Sequence, residues 1–325
     1  MPHAFLTGGT GFVGRNLAEV LSDAGWRVTA LVRAGSRADH LKKLGIETVE
    51  GRLEDSQSLG AAMPEGLDVV FHIAAVTSPW RGHRARQWRT NVEGTRNMLS
   101  VAMDAGAGRF VHTSTIAVYG HQVGRFDERA EKHGRGSWIG YVNSKSVAEA
   151  AVHEAVDGGL DAVILNPGHI LGRYDSHNWA RMFRMVRDDT LPGVPPGAGC
   201  FANVREVAKA HLKAAEVGAK GENYLLGGPH ETFLALVREI ARILDMEPPD
   251  KTLPAIAIKT AARVKELVSR ITGKPPDLTP EAAYFVCQDE NFSSKKAKDQ
   301  LGYRARPITE SLVESYAWLK ETGRI

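Results

Sequence analysis

The segment YVNSK over 141–145 could carry acid–base chemistry, because a phenol, Tyr141, and an ammonium, Lys145, stand four residues apart. On a helix that spacing puts both side chains on one face. A free tyrosine has a pKa of ~10, which is too high for proton transfer near neutrality. A neighbouring ammonium favours the phenolate, so we expect Lys145 to lower the pKa of Tyr141. Such a pair could move a proton to or from a substrate oxygen.

Three consecutive hydroxyl side chains, Thr113, Ser114 and Thr115, precede this segment at the end of an apolar run that predicts a strand over 109–113. Open α/β sheets bind their ligands at the carboxyl ends of the strands. One of these hydroxyls could therefore hold a substrate oxygen beside Tyr141. The alternative is that they only cap the end of the strand.

A glycine-rich segment, TGGTGFVG over 7–14, lies between a predicted first strand and a predicted first helix. Gly8 permits a tight turn, Gly11 lets the backbone approach a phosphate, and Gly14 lets the helix pack closely on the strand. The helix N-terminus adds unpaired N–H groups and a partial positive charge. The pattern predicts a dinucleotide site, the alternative being no more than a tight turn. The residues expected to contact the pyrophosphate are Gly8, Thr10, Gly11, Phe12, Val13 and Gly14.

The end of the predicted second strand indicates which dinucleotide binds. An adenosine ribose with a free 2′-hydroxyl usually meets a carboxylate about twenty residues after the glycines. This chain has no acid there and carries Arg33, Ser36 and Arg37 instead. A guanidinium pairs with phosphate oxygens and stacks on adenine, so a 2′-phosphate fits better. We therefore expect NADP ahead of NAD, unless the two arginines form only a solvated patch.

The elements that must position these groups alternate along the first half of the chain, where apolar runs predict strands and amphipathic stretches predict helices. Strands are expected at 4–7, 27–33, 46–50, 67–72, 109–113 and 161–165. Helices are expected at 12–26, 92–105, 141–156, 204–217, 232–244 and 256–271. Helical crossovers between successive strands favour parallel pairing. The pattern thus predicts an α/β fold with a Rossmann-type doubly wound parallel sheet.

The second half of the chain predicts a smaller, mostly helical substrate-binding domain. Stretches rich in proline, some of them also in glycine, occur around 192–199, 247–254 and 273–280 and indicate loops. We expect a dinucleotide-binding domain over 1–171, to which 201–217 returns. The substrate domain would then consist of 172–200 and 218–325.

Composition excludes several classes of protein. The 325 residues include 41 Lys and Arg against 38 Asp and Glu, and the net charge of +3 marks no nucleic-acid partner. The basic and aromatic stretch 80–89 is interpreted as a loop beside the substrate mouth rather than a nucleic-acid site. No apolar run is long enough to span a bilayer, and the N-terminus lacks the features of a signal peptide. Cys200 and Cys287 have no metal-ligand spacing, so we expect a cytoplasmic protein without a metal.

Taken together, the motifs resemble the extended short-chain dehydrogenase/reductase family, of the NAD-dependent epimerase/dehydratase type, along nearly the whole chain. The matching segments are TGGTGFVG at 7–14, HIAA at 72–75, NVEGT at 91–95, TSTIAVYG at 113–120, YVNSK at 141–145, NPG at 166–168, FSSKKA at 292–297 and LGY at 301–303. Within the family, the pattern is most similar to dihydroflavonol 4-reductases and to hopanoid-associated epimerase-like proteins.

The resemblance implies a role for each matched position. Tyr141 would be the acid and base, Lys145 its electrostatic partner and ribose ligand, and Thr115 the catalytic hydroxyl. Ser114 would be a neighbouring substrate contact that could exchange roles with Thr115, and Asn91 would steady the site through backbone and water contacts. The further cofactor contacts that the resemblance implies are Leu53, Ala74, Ala75, Lys145, Pro167 and Ile170.

Two departures from the family pattern bear on the ligands. The usual Gly-Asp-Leu that reaches adenine is Gly51-Arg52-Leu53 here, so the Leu53 backbone is left for that contact. Relatives that act on nucleotide sugars carry an arginine at a place that is apolar here, within 199–204. An apolar wall suits a neutral or lipid-like substrate, unless Arg173 or Arg181 compensates.

The expected reaction follows from these residues and from the resemblance. The segment 115–117 lacks the Asp-Glu pair that follows the threonine in sugar 4,6-dehydratases, which argues against dehydration. We expect an NADP-dependent oxidoreductase that interconverts a carbonyl and a secondary alcohol on a small, non-nucleotide molecule. A sugar epimerase with tightly held NAD(P) is the second hypothesis, and a cofactor-sensing protein without turnover is the third. The resemblance further implies a homodimer, formed through helices such as 92–105 and 141–156.

Overall fold

A computed structural model describes the whole chain, residues 1–325. Its strands are β1 (His3–Thr7), β2 (Arg27–Val32), β3 (Glu47–Glu50), β4 (Val69–His72), β5 (Arg109–Thr113), β6 (Ala162–Pro167), β7 (His169–Leu171), β8 (Ala198–Asn203), β9 (Asn223–Leu226), β10 (His230–Thr232) and β11 (Asp289–Glu290). Its helices are α1 (Phe12–Asp23), α2 (Asp39–Lys43), α3 (Ser56–Ala62), α4 (Arg84–Gln87), α5 (Gly94–Asp104), α6 (Gly140–Asp157), α7 (Ala180–Arg187), α8 (Val204–Val217), α9 (Phe233–Leu244), α10 (Ala255–Thr272), α11 (Pro280–Phe285), α12 (Lys295–Leu301) and α13 (Ile308–Glu321). No helix is both long enough and apolar enough to cross a membrane.

The central sheet has seven parallel strands in the order β3-β2-β1-β4-β5-β6-β9. The winding of the chain reverses between β1 and β4, and open α/β sheets bind ligands at such a reversal. The expected α/β fold with a Rossmann-type doubly wound sheet is therefore confirmed.

Strand β1 shows why the sheet has apolar side chains on both faces. Ala4 and Leu6 join the core cluster that contains Leu17 of α1 and Val207 of α8. Phe5 points the other way, into the cluster formed with α3, α5 and α6. Because successive side chains of a strand face opposite sides, a strand covered on both faces must be apolar throughout.

The seventh strand of the sheet was not expected from the sequence. Asn223–Leu226 pairs with β6, with Ile164 opposite Asn223, and so joins the first domain although 218–325 was expected in the second. The tail also returns to the first domain, because Leu301 and Tyr303 pack in the same core cluster as Leu17. The domain division therefore needs this correction. Four-residue strands with few apolar neighbours give a weak periodic signal.

The remaining elements form the smaller unit beside the sheet. Strand β8 pairs with β7, β10 and β11, and helices α7, α9 and α13 pack beside it. The core of this unit contains Phe183, Phe201, Leu236 and Leu319. It is largely helical, as expected, and it places β11 near the carboxyl ends of the central strands.

Candidate active site

The loop between β1 and α1 forms a narrow cradle. Gly8 has φ of +74°, and a side chain there would meet the Ala74 amide nitrogen at 2.8 Å. A side chain at Gly14 would overlap the Gly8 carbonyl oxygen. The Gly11 N–H donates to the Gly8 carbonyl at 2.9 Å, and no side chain caps α1. The N–H groups of the first turn, from Phe12 onward, therefore remain for an anion, and a pyrophosphate fits this cradle.

A chain of hydrogen bonds holds the loop after β4 against this cradle. The Thr7 hydroxyl accepts from the N–H groups of Ile73 and Ala74 at 3.2 Å each. It also contacts His72 Nδ1 at 2.9 Å, while His72 Nε2 contacts the Thr95 hydroxyl at 3.0 Å. Burial lowers the pKa of His72 to about 3, so the ring is neutral at physiological pH. The backbone at Ala74 thus borders the cradle, with Ala75 next along the chain, where the sequence predicts cofactor contacts.

The arginines expected at the adenosine end of the site lie in solvent. Arg33 and Arg37 follow β2, are exposed, and form no ion pair with a carboxylate. Ser36 is half-buried between them, in a turn where its N–H donates to the Arg33 carbonyl at 3.0 Å. Leu53 is buried, and its carbonyl oxygen already accepts from Asn97 Nδ2 at 2.9 Å.

Tyr141 lies in the first turn of α6 and faces Thr115 at the end of β5. Thr115 caps a 3₁₀ turn over 116–119, and its hydroxyl accepts from the Ala117 N–H at 3.3 Å. As a hydrogen-bond partner of the phenol, Thr115 lowers the pKa of Tyr141, whereas burial raises it. The Ser114 hydroxyl is buried without a hydrogen-bond partner, whereas the Thr115 hydroxyl has one.

Lys145 lies one turn after Tyr141, buried against the sheet. Its Nζ donates to the Thr113 carbonyl oxygen at 2.7 Å and lies 3.3 Å from His112 Nε2. Burial lowers the pKa of Lys145 to about 8, and the carboxylate of Glu149 opposes this fall.

The expectation that Lys145 lowers the pKa of Tyr141 is wrong for the protein alone. Burial dominates and the charge of Glu290 adds to it, so the pKa of Tyr141 lies above its ordinary value. The physical reason is that the ammonium is held by the Thr113 carbonyl, while the half-buried phenol is partly desolvated. The phenol is therefore protonated at neutral pH.

Asn91 connects the loop after β4 to helix α6. Its side-chain oxygen accepts from the Val76 N–H at 2.8 Å, and its amide donates to the Val76 carbonyl at 3.1 Å and to the Ser144 hydroxyl at 3.0 Å. The residue is buried within a π-helical segment, Trp88–Glu93, that precedes α5. The wider π turn explains why regular helix begins at Gly94 rather than at 92.

A cavity of about 440 Å³ lies next to this arrangement and is lined by sequence neighbours of Thr115 and Tyr141 rather than by those two side chains. It is lined on one side by Ile116 and Ala117, which follow Thr115, and by Ile139, which precedes α6. Tyr284 of α11 and Glu290 of β11 close the other side. Pro167 ends β6, and Ile170 lies in β7 opposite Ala202.

Glu290 is the one charged residue near Tyr141 that the sequence reasoning missed. Its carboxylate lies 3.7 Å from His169 Nε2, and burial raises the pKa of Glu290 to about 7. The pKa of His169 is lowered to about 4, again by burial. No signal in the sequence could have found Glu290, because it precedes the tail motif at 292–297 and its neighbours in space come from distant segments.

An aromatic cluster of His169, Trp179, Phe201 and Phe233 lies next to Glu290. The His169 ring stacks on Phe201 with centroids 5.2 Å apart, and the Trp179 ring meets it edge-on at 5.4 Å. Cys200, Phe201 and Ala202 are buried in β8. The apolar segment 199–204, where nucleotide-sugar relatives carry an arginine, is therefore part of the core.

Arg173 and Arg181, which could replace the missing diphosphate-binding arginine, both contact other parts of the chain. Arg181 donates to the Asp277 carbonyl at 2.9 Å, and Arg173 pairs with Glu321 at 3.8 Å. The basic stretch 80–89 is helical from Arg81 onward and not the expected loop. In it, Arg81 pairs with Glu266 at 2.6 Å and Arg84 donates to the Trp138 carbonyl at 2.6 Å. These cations hold segments of the chain together.

Proteins of known sequence are similar to this chain over nearly its whole length. The chain is 33% identical, over 99% of its length and 95% of the other, to a Synechocystis sp. protein with the provisional name dihydroflavonol 4-reductase. It is 34% identical, over 93% and 92%, to the 4-hydroxy-2-methyl-3-oxo-4-farnesyl-3,4-dihydroquinoline-1-oxide ketoreductase of Stigmatella aurantiaca. It is 35% identical, over 92% and 85%, to the 3 beta-hydroxysteroid dehydrogenase/Delta 5→4-isomerase of Mycobacterium tuberculosis.

A solved structure and a family profile agree with these relatives. The crystal structure of gox2253 covers 100% of both chains with a TM-score of 0.86 at 31% identity. Residues 4–227 match the profile of the NAD dependent epimerase/dehydratase family. The cradle at Gly8 and Gly14 fits the dinucleotide that this family binds. The chain therefore belongs to the NAD dependent epimerase/dehydratase family, the extended short-chain dehydrogenase/reductases, and is an NAD(P)-dependent oxidoreductase.

Proposed function

We propose that this protein interconverts a ketone and a secondary alcohol on an apolar, non-nucleotide substrate, with NADP(H) as its cofactor. The observation that carries the proposal is the pairing of Tyr141 with Thr115 just after β5, beside a cavity that no lysine or arginine lines. Lys145 stands one turn along the same helix. These residues bring a proton donor, a second hydroxyl and a cation to one place.

The chain's own groups account for the movement of the proton. A bound nicotinamide cofactor supplies or accepts the hydride at the carbinol carbon. In reduction, the protonated Tyr141 donates its hydroxyl proton to the carbonyl oxygen, and Thr115 donates a hydrogen bond to the same oxygen. In oxidation, Tyr141 accepts the alcohol proton. Lys145, whose pKa is about 8, is mostly cationic at neutral pH and stabilises the phenolate that reduction leaves behind.

Asn91 and Ser114 take supporting roles in this proposal. Asn91 holds Ser144 and the Val76 backbone, and so fixes α6 relative to the loop after β4. The Ser114 hydroxyl is buried without a protein partner, and in this proposal it contacts a polar group of the substrate once neighbouring side chains move.

The proposal of NADP rests on the end of β2. Arg33 and Arg37 form no ion pair, and no carboxylate stands where a ribose 2′-hydroxyl would need one. We expect Arg33→Ser combined with Arg37→Ser to weaken NADPH binding by about ten-fold or more, because a 2′-phosphate loses charge-assisted hydrogen bonds. NADH binding should change little. Arg304→Ser, at an exposed arginine of the tail, is the control in a fluorescence titration.

The proposal of an apolar substrate rests on the groups around the cavity. The arginines that could hold a diphosphate, Arg173 and Arg181, are bound to Glu321 and Asp277. No lysine or arginine lines the cavity, whereas Asp289 and Glu290 do, so an anionic diphosphate is disfavoured there. Relatives with 34% and 35% identity are named for farnesylated and steroid compounds, which supports the same substrate class.

The test is a panel of apolar ketones followed by nicotinamide absorbance, with wild type and Tyr141→Phe. We expect wild type to oxidise NADPH with at least one ketone. Tyr141→Phe should lower the rate by about 10²- to 10⁴-fold, because it removes the proton donor, and should leave NADPH binding intact. Equal activity in both proteins would refute the role of Tyr141. A copurifying nucleotide that never exchanges, with no net redox turnover, would favour the epimerase instead.

A further inference from the structure

Helix α10 carries an apolar face that lies in solvent. Ile256 is 74% exposed and Ile271 is 87% exposed, and more than half of the surface of Val264, Leu267 and Val268 is also accessible. Single exposed apolar residues are ordinary, but five on one helix form a continuous patch. The other exposed residues on this face are uncharged, namely Ala257, Thr260 and Ala261.

The opposite face of α10 is polar at its centre and is held against the protein. Glu266 is buried, and Arg81 pairs with it at 2.6 Å. Ser269 is also buried, and its hydroxyl donates to the Lys274 carbonyl at 2.6 Å. Ile258 and Ala262 anchor the helix by packing near Ala283 of α11. The ion pair and this packing fix which face points outward, so the exposure of the apolar face is a property of the fold.

The charges beside the apolar face are cationic. At 3.6 residues per turn, Lys259, Arg263 and Arg270 follow one edge of the face and Lys265 follows the other. Lys265 pairs with Asp277 at 2.8 Å and Arg270 pairs with Glu266 at 3.4 Å. Lys259 and Arg263 have no acidic partner, and the helix's single acid, Glu266, is turned inward. An apolar stripe with unpaired Lys and Arg along its edge is the pattern of a helix that lies in the plane of a membrane surface.

We propose that α10 docks the protein on the surface of an anionic lipid bilayer. The apolar side chains would enter the boundary between headgroups and acyl chains, and the flanking cations would meet the lipid phosphates. A second copy of the chain fits less well, because a two-fold contact through this face would bring the same unpaired cations toward one another.

The position of α10 gives such docking a consequence for the substrate. Helix α10 packs on α11, and Tyr284 of α11 lines the cavity beside Tyr141. Docking would bring the cavity near the lipid surface, where an apolar ketone is concentrated. This link rests on the proposed function, whereas the docking surface itself does not.

The test is cosedimentation of the full chain with vesicles of phosphatidylcholine, alone or mixed with phosphatidylglycerol. We expect wild type to bind the mixed vesicles and to be released by salt. Leu267→Gln combined with Ile271→Gln should weaken partitioning by about ten-fold or more. Lys259→Gln combined with Arg263→Gln should weaken it by about five-fold for each charge removed.

Matched variants at other exposed positions are the controls. Val123→Gln with Val217→Gln removes apolar surface elsewhere, and Lys42→Gln with Lys43→Gln removes charge elsewhere. All variants change exposed side chains, and a thermal unfolding curve verifies that each is folded. The proposal is overturned if wild type does not bind anionic vesicles, or if the control variants lose as much binding. It is also overturned if Leu267→Gln with Ile271→Gln dissociates a dimer in sedimentation velocity while vesicle binding is unchanged.

Discussion

Tyr141, Lys145 and Glu290 are three ionisable side chains that folding shields from water, with Lys145 buried and the other two half-buried. Burial raises the pKa of Tyr141, lowers the pKa of Lys145 to about 8, and raises the pKa of Glu290 to about 7. In each case the neutral form of the side chain is favoured, because the protein interior solvates charge poorly. Near neutral pH, Glu290 is therefore the first of the three side chains to change its charge.

Replacing Glu290 by glutamine should alter the pH dependence of stability. The pKa of this carboxyl is about 7 in the folded protein and 4.5 in the unfolded chain, so the folded state binds more protons between those values. Wild type should therefore lose stability as pH rises from about 4.5 to about 7, and Glu290→Gln should lose less. Urea unfolding at both ends of this window measures the difference, with Asp289→Asn, an exposed neighbour, as control. Parallel curves for wild type and Glu290→Gln would contradict the assignment.

The same substitution should shift the pH profile of the reaction. The ionised Glu290 raises the pKa of Tyr141, so Glu290→Gln should move the limb assigned to the tyrosine to lower pH. The rate of alcohol oxidation across pH, under saturating cofactor, measures this shift. A shift to higher pH would show that Glu290 does not act on the phenol through its charge.

At the scale of elements, the cradle depends on close approach of backbone segments. Gly14 in α1 lies against the Gly8 carbonyl, and Gly8 lies against the Ala74 amide. A larger residue in either place would move α1 or the loop after β4, and both border the dinucleotide cleft. The glycine spacing is thus a requirement of packing as well as of ligand approach.

Gly14→Ala should therefore impair cofactor binding. The added methyl group overlaps the Gly8 carbonyl, so we expect NADPH to bind more than about ten-fold more weakly, equivalent to about 1.4 kcal/mol. Gly60→Ala is the matched control, because Gly60 lies in α3 with open space around its α-carbon. That change should stabilise the protein by about 0.5–1 kcal/mol through helix propensity. Unimpaired NADPH binding by Gly14→Ala would argue that the cradle is not the pyrophosphate site.

For the whole molecule, a buried polar network joins distant parts of the chain. The Glu149 carboxylate pairs with Lys132 at 2.6 Å and accepts from Asn166 at 2.8 Å and from Asn223 at 3.1 Å. It links α6, β6, β9 and the loop before α6. Because a buried carboxylate is stable only when its partners are in place, this network holds Tyr141's helix to the sheet.

The outer faces of α5 and α6 are the proposed contact between two copies of the chain. Met103 is 45% exposed on α5, and Val147 is half-buried on α6. We expect a homodimer in sedimentation equilibrium, and we expect Val147→Glu to dissociate it, because the new charge would be buried without a partner. Val217→Glu, on an exposed end of α8, should leave the dimer intact. A monomer at every wild-type concentration would exclude this interface.

The sequence alone determined the features that depend on neighbours along the chain. The glycine segment 7–14, the helix that carries Tyr141 and Lys145, and six of the seven central strands follow from local periodicity and spacing. The expected helix over 204–217 matches α8 residue for residue. Such features are local because turn geometry and helix faces are set within a few residues.

Only the tertiary structure decided the features that depend on residues far apart in the chain. Strand β9 became the seventh strand through pairing with β6, and Glu290 came to the cavity from the tail. The pKa of Tyr141 is raised, whereas its spacing from Lys145 predicted a lowered pKa. The apolar face of α10 is exposed to solvent. Burial and electrostatic environment are sums over contacts between distant segments, and no local pattern contains that sum.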